Sequence, residues 1–406
     1  MVKYLSIQWK KRSSSKAMMR RGDFVAPEIP FDLVMEILSR LPAKSLMRFR
    51  CVSKLWSGLI RSRYLSNLYL TNKVSSSGEP LFLYISYNFV PHCKLDSMDP
   101  SQLLSLTVSP ASDSAELSLE PDSDFRLMET MGVQGMVILR GLILYTFCGK
   151  AYIYNPTTRQ SLNLPAVNTN IFAQQEGFQR YKRVCYFFGH DPVLDQYKIV
   201  CNVFERWTSS EFWVFVLEPG GFWKRIEYDD QPRTLFGQGL CINGVIYCWA
   251  FNQICFDAVY CFDVRSEKLR VIKTPPHAVS EYGQLVGFIE HGGKPALFDH
   301  TRIKETGVSE LWVLEDGLGG TWSRKSFVLK PCQRHLVRDI NMGLMVHGTG
   351  QNNEVILGLG LFSRPCYLLY YDLIKNDLRK VNINREKPYQ FVKAMDKYES
   401  IMHLET

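Results

Sequence analysis

Tyr152–Pro165 reads YIYNPTTRQSLNLP, and its design returns four more times: Phe212–Ile226 (FWVFVLEPGGFWKRI), Tyr260–Ile272 (YCFDVRSEKLRVI), Leu311–Lys325 (LWVLEDGLGGTWSRK) and Tyr367–Ile383 (YLLYYDLIKNDLRKVNI). Each copy is an apolar strand closed by an acidic or amide residue: Asn155, Glu218, Asp263, Glu315 and Asp372. A short turn follows, then Leu or Trp five to seven residues on: Leu162, Trp223, Leu269, Trp322 and Leu378. Asx and Gly residues suit such turns because they tolerate positive φ and hydrogen-bond their own backbone. Each copy therefore predicts a β-hairpin. The markers lie 63, 45, 52 and 57 residues apart, a mean of about 54. A period near 50 with four short strands per repeat is that of kelch-like propeller blades. Further strands fit between the hairpins: Gly141–Tyr145, Tyr197–Val203, Gly239–Trp249, Leu285–Ile289 and Glu354–Leu359, with Asn243-Gly244 and Gly292-Gly293 as turns. Residues 64–406 divided by this period give about six blades, and closing them into a ring removes exposed sheet edges.

The stretch before the repeats has another texture. Residues 1–23 are polar and basic and predict a disordered tail; Lys10-Lys11-Arg12 and Arg20-Arg21 match a weak nuclear-import pattern, but charge runs this short read first as a solvated tail. Residues 24–70 predict a helical domain. Pro30 and Pro42 each stand where a helix begins, and Leu33, Ile37 and Leu41 recur at helical spacing beside Val34 and Leu38. Ala43–Cys51 forms a second helix, and Ser53 caps a third with Trp56, Leu59 and Ile60 inward. Three such helices cannot bury a core alone, so their apolar faces need a partner. Residues 71–80 (TNKVSSSGEP) read as a linker or loop and residues 81–406 as the β domain, with Ser97–Asp124 an exposed loop around one strand. The expected fold class is α+β with two domains: a small three-helix module, then an all-β propeller-like domain of about six blades.

Composition narrows the function. Apolar residues make 46% of the 406 and charged residues 22%, which is globular. The net charge is +8, but residues 1–63 carry 14 Lys/Arg against 4 Asp/Glu, leaving 34 basic and 36 acidic side chains in the remainder. The β domain is thus near neutral and lacks the attraction for phosphate that nucleic-acid binding needs. No run of about 18 apolar residues or secretory h-region is present, so neither a membrane partner nor secretion is expected. Eleven scattered cysteines without a Cys-x-x-Cys pair place the chain in a reducing compartment, nucleus and/or cytoplasm. Cys241, Cys248, Cys255 and Cys261 fit no zinc spacing and read as buried strand thiols. His190-Asp191 and Asp299-His300 read as turn or surface pairs, and Asp99, Asp113, Glu116, Asp122 and Asp124 as a solvated loop. No nucleophile elbow, phosphate loop or dinucleotide fingerprint appears. No catalytic residue, cofactor or metal is expected.

Glu28–Trp56, EIPFDLVMEILSRLPAKSLMRFRCVSKLW, resembles the F-box motif at Pro30, Ile37, Leu38, Leu41, Pro42, Leu46, Phe49, Val52, Ser53, Lys54 and Trp56. Ile29 stands where Leu is commoner, and Asp32 supplies the acidic residue near the helix start. The remainder resembles the F-box-associated, kelch-like domain of the large plant F-box family, in Tyr152–Pro165, in Phe188–Val200 (FGHDPVLDQYKIV) and in Tyr398–Ile401 (YESI). The resemblance implies a non-catalytic substrate receptor of an SCF-type cullin ubiquitin ligase. Its F-box would dock on a Skp-type adaptor, and its β domain would hold a target protein for ubiquitination. It implies adaptor contacts at Ile29, Pro30, Leu33, Ile37, Leu38, Leu41, Pro42 and Leu46, and an F-box core of Phe49, Val52 and Trp56. The alternatives are a propeller hydrolase or sugar-processing enzyme, or a carbohydrate-binding receptor, with an F-box attached.

Overall fold

The computed structural model describes residues 29–74, 82–86, 102–108, 116–121, 135–147, 150–169, 171, 182–205, 209–228, 234–251, 256–275, 286–317, 319–338, 340, 343–350, 353–359, 367–384, 391–395 and 399–405. The basic tail, most of the 71–80 stretch, Cys255, Asp99, Asp113, Asp122 and Asp124 lie outside the described residues.

Helix α1 (Phe31–Arg40) follows Pro30 and stops at Leu41, which sits in extended backbone before Pro42. Helix α2 (Ala43–Phe49) follows Pro42, and α3 (Lys54–Arg61) is capped by Ser53, whose hydroxyl accepts from the Trp56 N–H at 3.2 Å. The module holds a fourth helix, α4 (Arg63–Val74), which runs into the stretch expected to be linker. Its start signal is Ser62, whose hydroxyl accepts from the Leu65 N–H at 3.3 Å. Met35, Leu38, Ala43, Leu46, Ile60, Leu65 and Tyr69 form the core of this module. Ile401, from the far end of the chain, completes it.

The β domain consists of five sheets. Four are four-stranded antiparallel meanders: blade 1 (residues 135–163), blade 2 (182–226), blade 3 (234–273) and blade 4 (286–328). The fifth sheet has eight strands and joins two meanders edge to edge. One is blade 5 (344–384); the other closes the ring by pairing the early strand Phe82–Ser86 with the late strand Phe391–Met395, from Phe82 opposite Met395 to Ser86 opposite Phe391. A short parallel pairing of Asp377–Asn384 with Glu116–Pro121 links them. The five sheets thus contain six four-stranded units, in agreement with about six blades.

All five repeated hairpins are the third and fourth strands of blades 1 to 5, with pairs such as Tyr152–Asn163, Phe212–Ile226 and Tyr370–Arg379 opposite one another. Three markers cap their own turns. Asn155 Oδ1 accepts from the Thr157 and Thr158 N–H groups, Asp263 Oδ1 from Ser266, and Asp372 Oδ1 from Ile374 and Lys375. The tryptophans bind blade to blade: Trp223 Nε1 donates to the Pro165 carbonyl at 2.7 Å, and Trp322 Nε1 to that of Lys273 at 3.1 Å. Asn243-Gly244 and Gly292-Gly293 turn with both residues at positive φ, the conformation of a two-residue hairpin loop. The third strand of blade 5, Tyr367–Tyr371, is buried on both faces, because the blade is covered by its neighbours. Where blades converge, side chains run out of room: a Cβ at Gly287 would stand 2.4–2.6 Å from the Val346 side chain.

Candidate functional site

Helix α1 is apolar on two sides. One ridge, Met35 and Leu38, is 1% exposed and faces the module core. The other, Leu33 and Ile37, lies one turn apart on the surface at 54% and 52% exposure, and Ile29 and Phe31 extend it at 60% and 56%. Burying one such side chain is worth about 1.5–3 kcal/mol, so several left in water mark a surface that a partner covers. A second exposed apolar group surrounds the α2–α3 turn: Phe49, Val52 and Leu55.

The structure redistributes the residues named from sequence. Ile29, Pro30, Leu33, Ile37 and Pro42 are exposed and Leu41 is half-buried. Leu38 and Leu46 are 1% and 0% exposed and are core residues, because α4 and Ile401 cover the inner side of α1 and α2. Phe49 and Val52, assigned to the core, stand on the surface at 37% and 66% exposure, because the third helix packs through Ile60. Trp56 is half-buried against the core, with the Phe49 ring edge-on at 5.9 Å.

The helical module is seated on blades 1 and 2 through polar contacts centred on Asp195. This residue stands at φ +50° in the turn between the first two strands of blade 2. Its carboxylate accepts from Asn67 Nδ2 at 2.6 Å and lies 2.9 Å from His190 Nε2, while its carbonyl accepts from Arg63 Nη1 at 2.6 Å. Arg140, in the matching turn of blade 1, donates to Asn67 Oδ1 at 2.9 Å and to the Tyr197 hydroxyl at 3.0 Å. Burial raises the pKa of Asp195, but hydrogen bonds from His190 and Asn67 outweigh it, so the carboxyl sits below its ordinary value. Tyr69 donates to Glu399 at 2.7 Å, and the segment from Ser400 to Leu404 runs along blade 1, where Asn155 and Gln160 bind its backbone. Sequence reasoning missed this junction, although the stretch Phe188–Val200 contains both Asp195 and Tyr197. The signal was the pair Arg63 and Asn67, one turn apart in the part of the helical domain that follows the three expected helices.

The His/Asp pairs are structural. Asp191 is clamped by Arg265 of blade 3 through two 3.0 Å hydrogen bonds, which hold its pKa down to about 2 against the effect of burial. Asp299 caps the turn at Thr301, and His300 is buried with Nε2 2.9 Å from the Leu344 carbonyl. Both histidines are buried rather than on the surface. Burial raises the thiol pKa of Cys241 and Cys248, and that of Cys261 to about 12, which keeps these thiols protonated. Among the described residues no group of three or more His, Cys, Asp or Glu side chains could hold a metal ion, and no helix is long and apolar enough to cross a membrane.

Comparison with known proteins agrees with this two-part architecture. Residues 27–67 match the F-box domain family, and residues 94–404 match the F-box associated beta propeller domain family. At5g62660 of Arabidopsis thaliana is 52% identical over 379 residues, covering 89% of this chain and 95% of its own length. F-box protein At4g19940 of the same plant is 39% identical over 416 residues, covering 97% of each chain. F-box/kelch-repeat protein At4g19930 is 36% identical over 410 residues, covering 93% and 91%. An exposed apolar ridge on a proline-started helix, a helical module seated on a propeller and these full-length matches lead to one conclusion: the chain belongs to the F-box proteins with an F-box associated beta propeller domain.

Proposed function

We propose that this protein is the substrate-recognition subunit of an SCF-type cullin ubiquitin ligase. The observation that carries the reading is the outer ridge of α1, Ile29, Phe31, Leu33 and Ile37, whose exposure is not explained by the module's own core. It fits an apolar face of a Skp-type adaptor, which connects to the cullin. The propeller holds the target, and the reaction is carried by proximity: a tethered target presents its lysines at high effective concentration to a separate conjugating enzyme. No side chain of this protein enters the bond-making step. The free cysteines among the described residues support a reducing compartment, the nucleus and/or cytoplasm.

The test is adaptor binding by the full chain carrying Leu33→Asp and Ile37→Asp. Both positions are exposed, so the fold is retained and its melting temperature is unchanged, while adaptor affinity falls about 100-fold or more, because two charges enter a desolvated apolar interface. Unaltered adaptor binding in this variant overturns the assignment. Among the described residues, the two His/Asp pairs serve structure: Asp191 is bound by Arg265 of the next blade, Asp299 caps a turn, and both histidines are buried.

A further inference from the structure

The helical module touches one face of the propeller. Its partners Arg140 and Asp195 lie in turns between first and second strands, and the Leu217 carbonyl, which accepts from Arg63, lies between a third and a fourth. In an antiparallel meander those turns share one face, and second-to-third and blade-to-blade connections share the other. The two faces differ in the chain available. Within blades 1 to 5, connections on the module's face span two to six residues, whereas the blade-to-blade connections that follow these blades span six to eighteen. Specificity resides in long connections on a rigid frame.

The charge on that far face is uneven. Residues 300–307 and 329–343, the two connections of blade 4, carry five basic side chains against two acidic ones, in a β domain whose sequence is otherwise near neutral. The blade 4 connections are also bound to each other. The Leu329 N–H donates to the Gly307 carbonyl at 2.8 Å, and Lys304 Nζ donates to the Ile340 carbonyl at 2.9 Å. Arg334 lies over Gly307, where a Cβ would meet its Nε at 3.0 Å. Ile303, Val337 and Ile340 anchor the pair in the core beneath. Lys330 is paired with Asp377. Arg302 and Arg324 share the single carboxylate of Glu310, and Arg334 and Arg338 are exposed with no ion-pair partner among the described residues.

The geometry points to this ledge, Arg302, Lys304, Arg334 and Arg338, as the recognition site for an acidic, Asp/Glu-rich segment of the target protein, on the face turned away from the F-box module. The inference rests on the reading of the propeller as target holder and names the chemistry it selects. A short acidic segment fits the two exposed arginines Arg334 and Arg338, with Arg302 and Lys304 beside them held by Glu310 and the Ile340 carbonyl. A nucleic acid needs a longer run of positive charge than these two connections supply. The placement keeps target and adaptor on opposite sides, so one does not obstruct the other.

The experiment uses the full chain bound to a Skp-type adaptor. Fluorescence anisotropy is read for a labelled twelve-residue Glu/Asp peptide, a Lys/Arg peptide of equal length and a single-stranded oligonucleotide. The acidic peptide binds, weakens with added salt, and loses about tenfold affinity or more in Arg334→Glu/Arg338→Glu and again in Arg302→Glu/Lys304→Glu, the second pair guarding against local misfolding in the first. Leu33→Asp/Ile37→Asp leaves peptide binding unchanged in the free chain. No acidic-peptide binding, binding indifferent to both charge reversals, or tighter binding of the oligonucleotide overturns the proposal. Retained adaptor binding in those cases leaves the substrate-receptor reading standing; lost adaptor binding by the unaltered chain is the failure of that reading instead.

Discussion

Helix α1 and the strand Tyr367–Asp372 are both mostly apolar, and the fold treats them in opposite ways. In FDLVMEILSR, Met35 and Leu38 are buried while Phe31, Leu33 and Ile37 stand in water. In YLLYYD, every residue before Asp372 is buried. The strand has a blade on each side; the helix has its own module on one side and solvent on the other. The contrast extends to the two domains. Of fourteen large apolar side chains exposed among the described residues, eight lie between Ile29 and Tyr64 and six are spread over the far larger propeller. A propeller satisfies its apolar residues internally, and this helical module keeps a set in reserve. The same residue type, leucine, is thus structural or functional according to which side of a helix it occupies.

That distinction breaks if α1 is a uniform surface helix, and the sharpest test is Leu38→Asp. It forces a charge into the module core at a cost of several kcal/mol, so the helical module unfolds, as read by loss of helical circular dichroism. Leu33→Asp, five residues earlier, leaves that signal intact. Phe298→Ala in blade 4, a fully buried ring, destabilises the propeller by about 3–5 kcal/mol in a denaturant melt and leaves adaptor binding in place.

The boundary between the regions is tested next. Asn67→Ala removes both the donor to Asp195 and the acceptor of Arg140, and it costs about 1–3 kcal/mol. The loss shows as faster hydrogen exchange at Ile401, whose side chain bridges the module and the chain end; unchanged exchange there means that the polar junction contributes nothing. A smaller effect is expected within the propeller. Arg265 lowers the pKa of Asp191 in the folded state, so the stability it gives is complete above the unfolded value near pH 4 and is lost as pH falls toward about 2. Arg265 is half-exposed and screened by solvent, which limits the loss to about 1 kcal/mol, abolished in Asp191→Asn. The smallest effect is at the helix surface: Glu36→Gln, which removes the pair with Arg40, changes stability by less than about 0.5 kcal/mol.

The hairpins were legible because they are local. Asn155, Asp263 and Asp372 cap turns only a few residues long, and the Trp or Leu that follows marks the outer strand. Blade number followed from the period. The module's three helices were legible from Pro30, Pro42 and Ser53. The fourth helix was not, because Ser62 serves both as the end of α3 and as the start of α4, and its buried residues Leu65 and Tyr69 pack against distant partners. The docking ridge was half legible. Periodicity identified an apolar helix, but which of two adjacent apolar positions faces out depends on what covers each side; here Ile37 is outer and Leu38 inner.

The sequence by itself determined the repeat, the hairpin turns, the helix starts and the uneven charge between the first sixth of the chain and the rest. These follow from interactions spanning a few residues, and their chemistry is the same wherever the chain goes. Only the tertiary structure decided which leucines are core, which face of the propeller the module occupies and that Ile401 fills a core begun by Met35. Those outcomes depend on contacts between residues hundreds of positions apart, and no local pattern encodes them: a side chain's burial is a property of its neighbours, and its neighbours are set by ring closure.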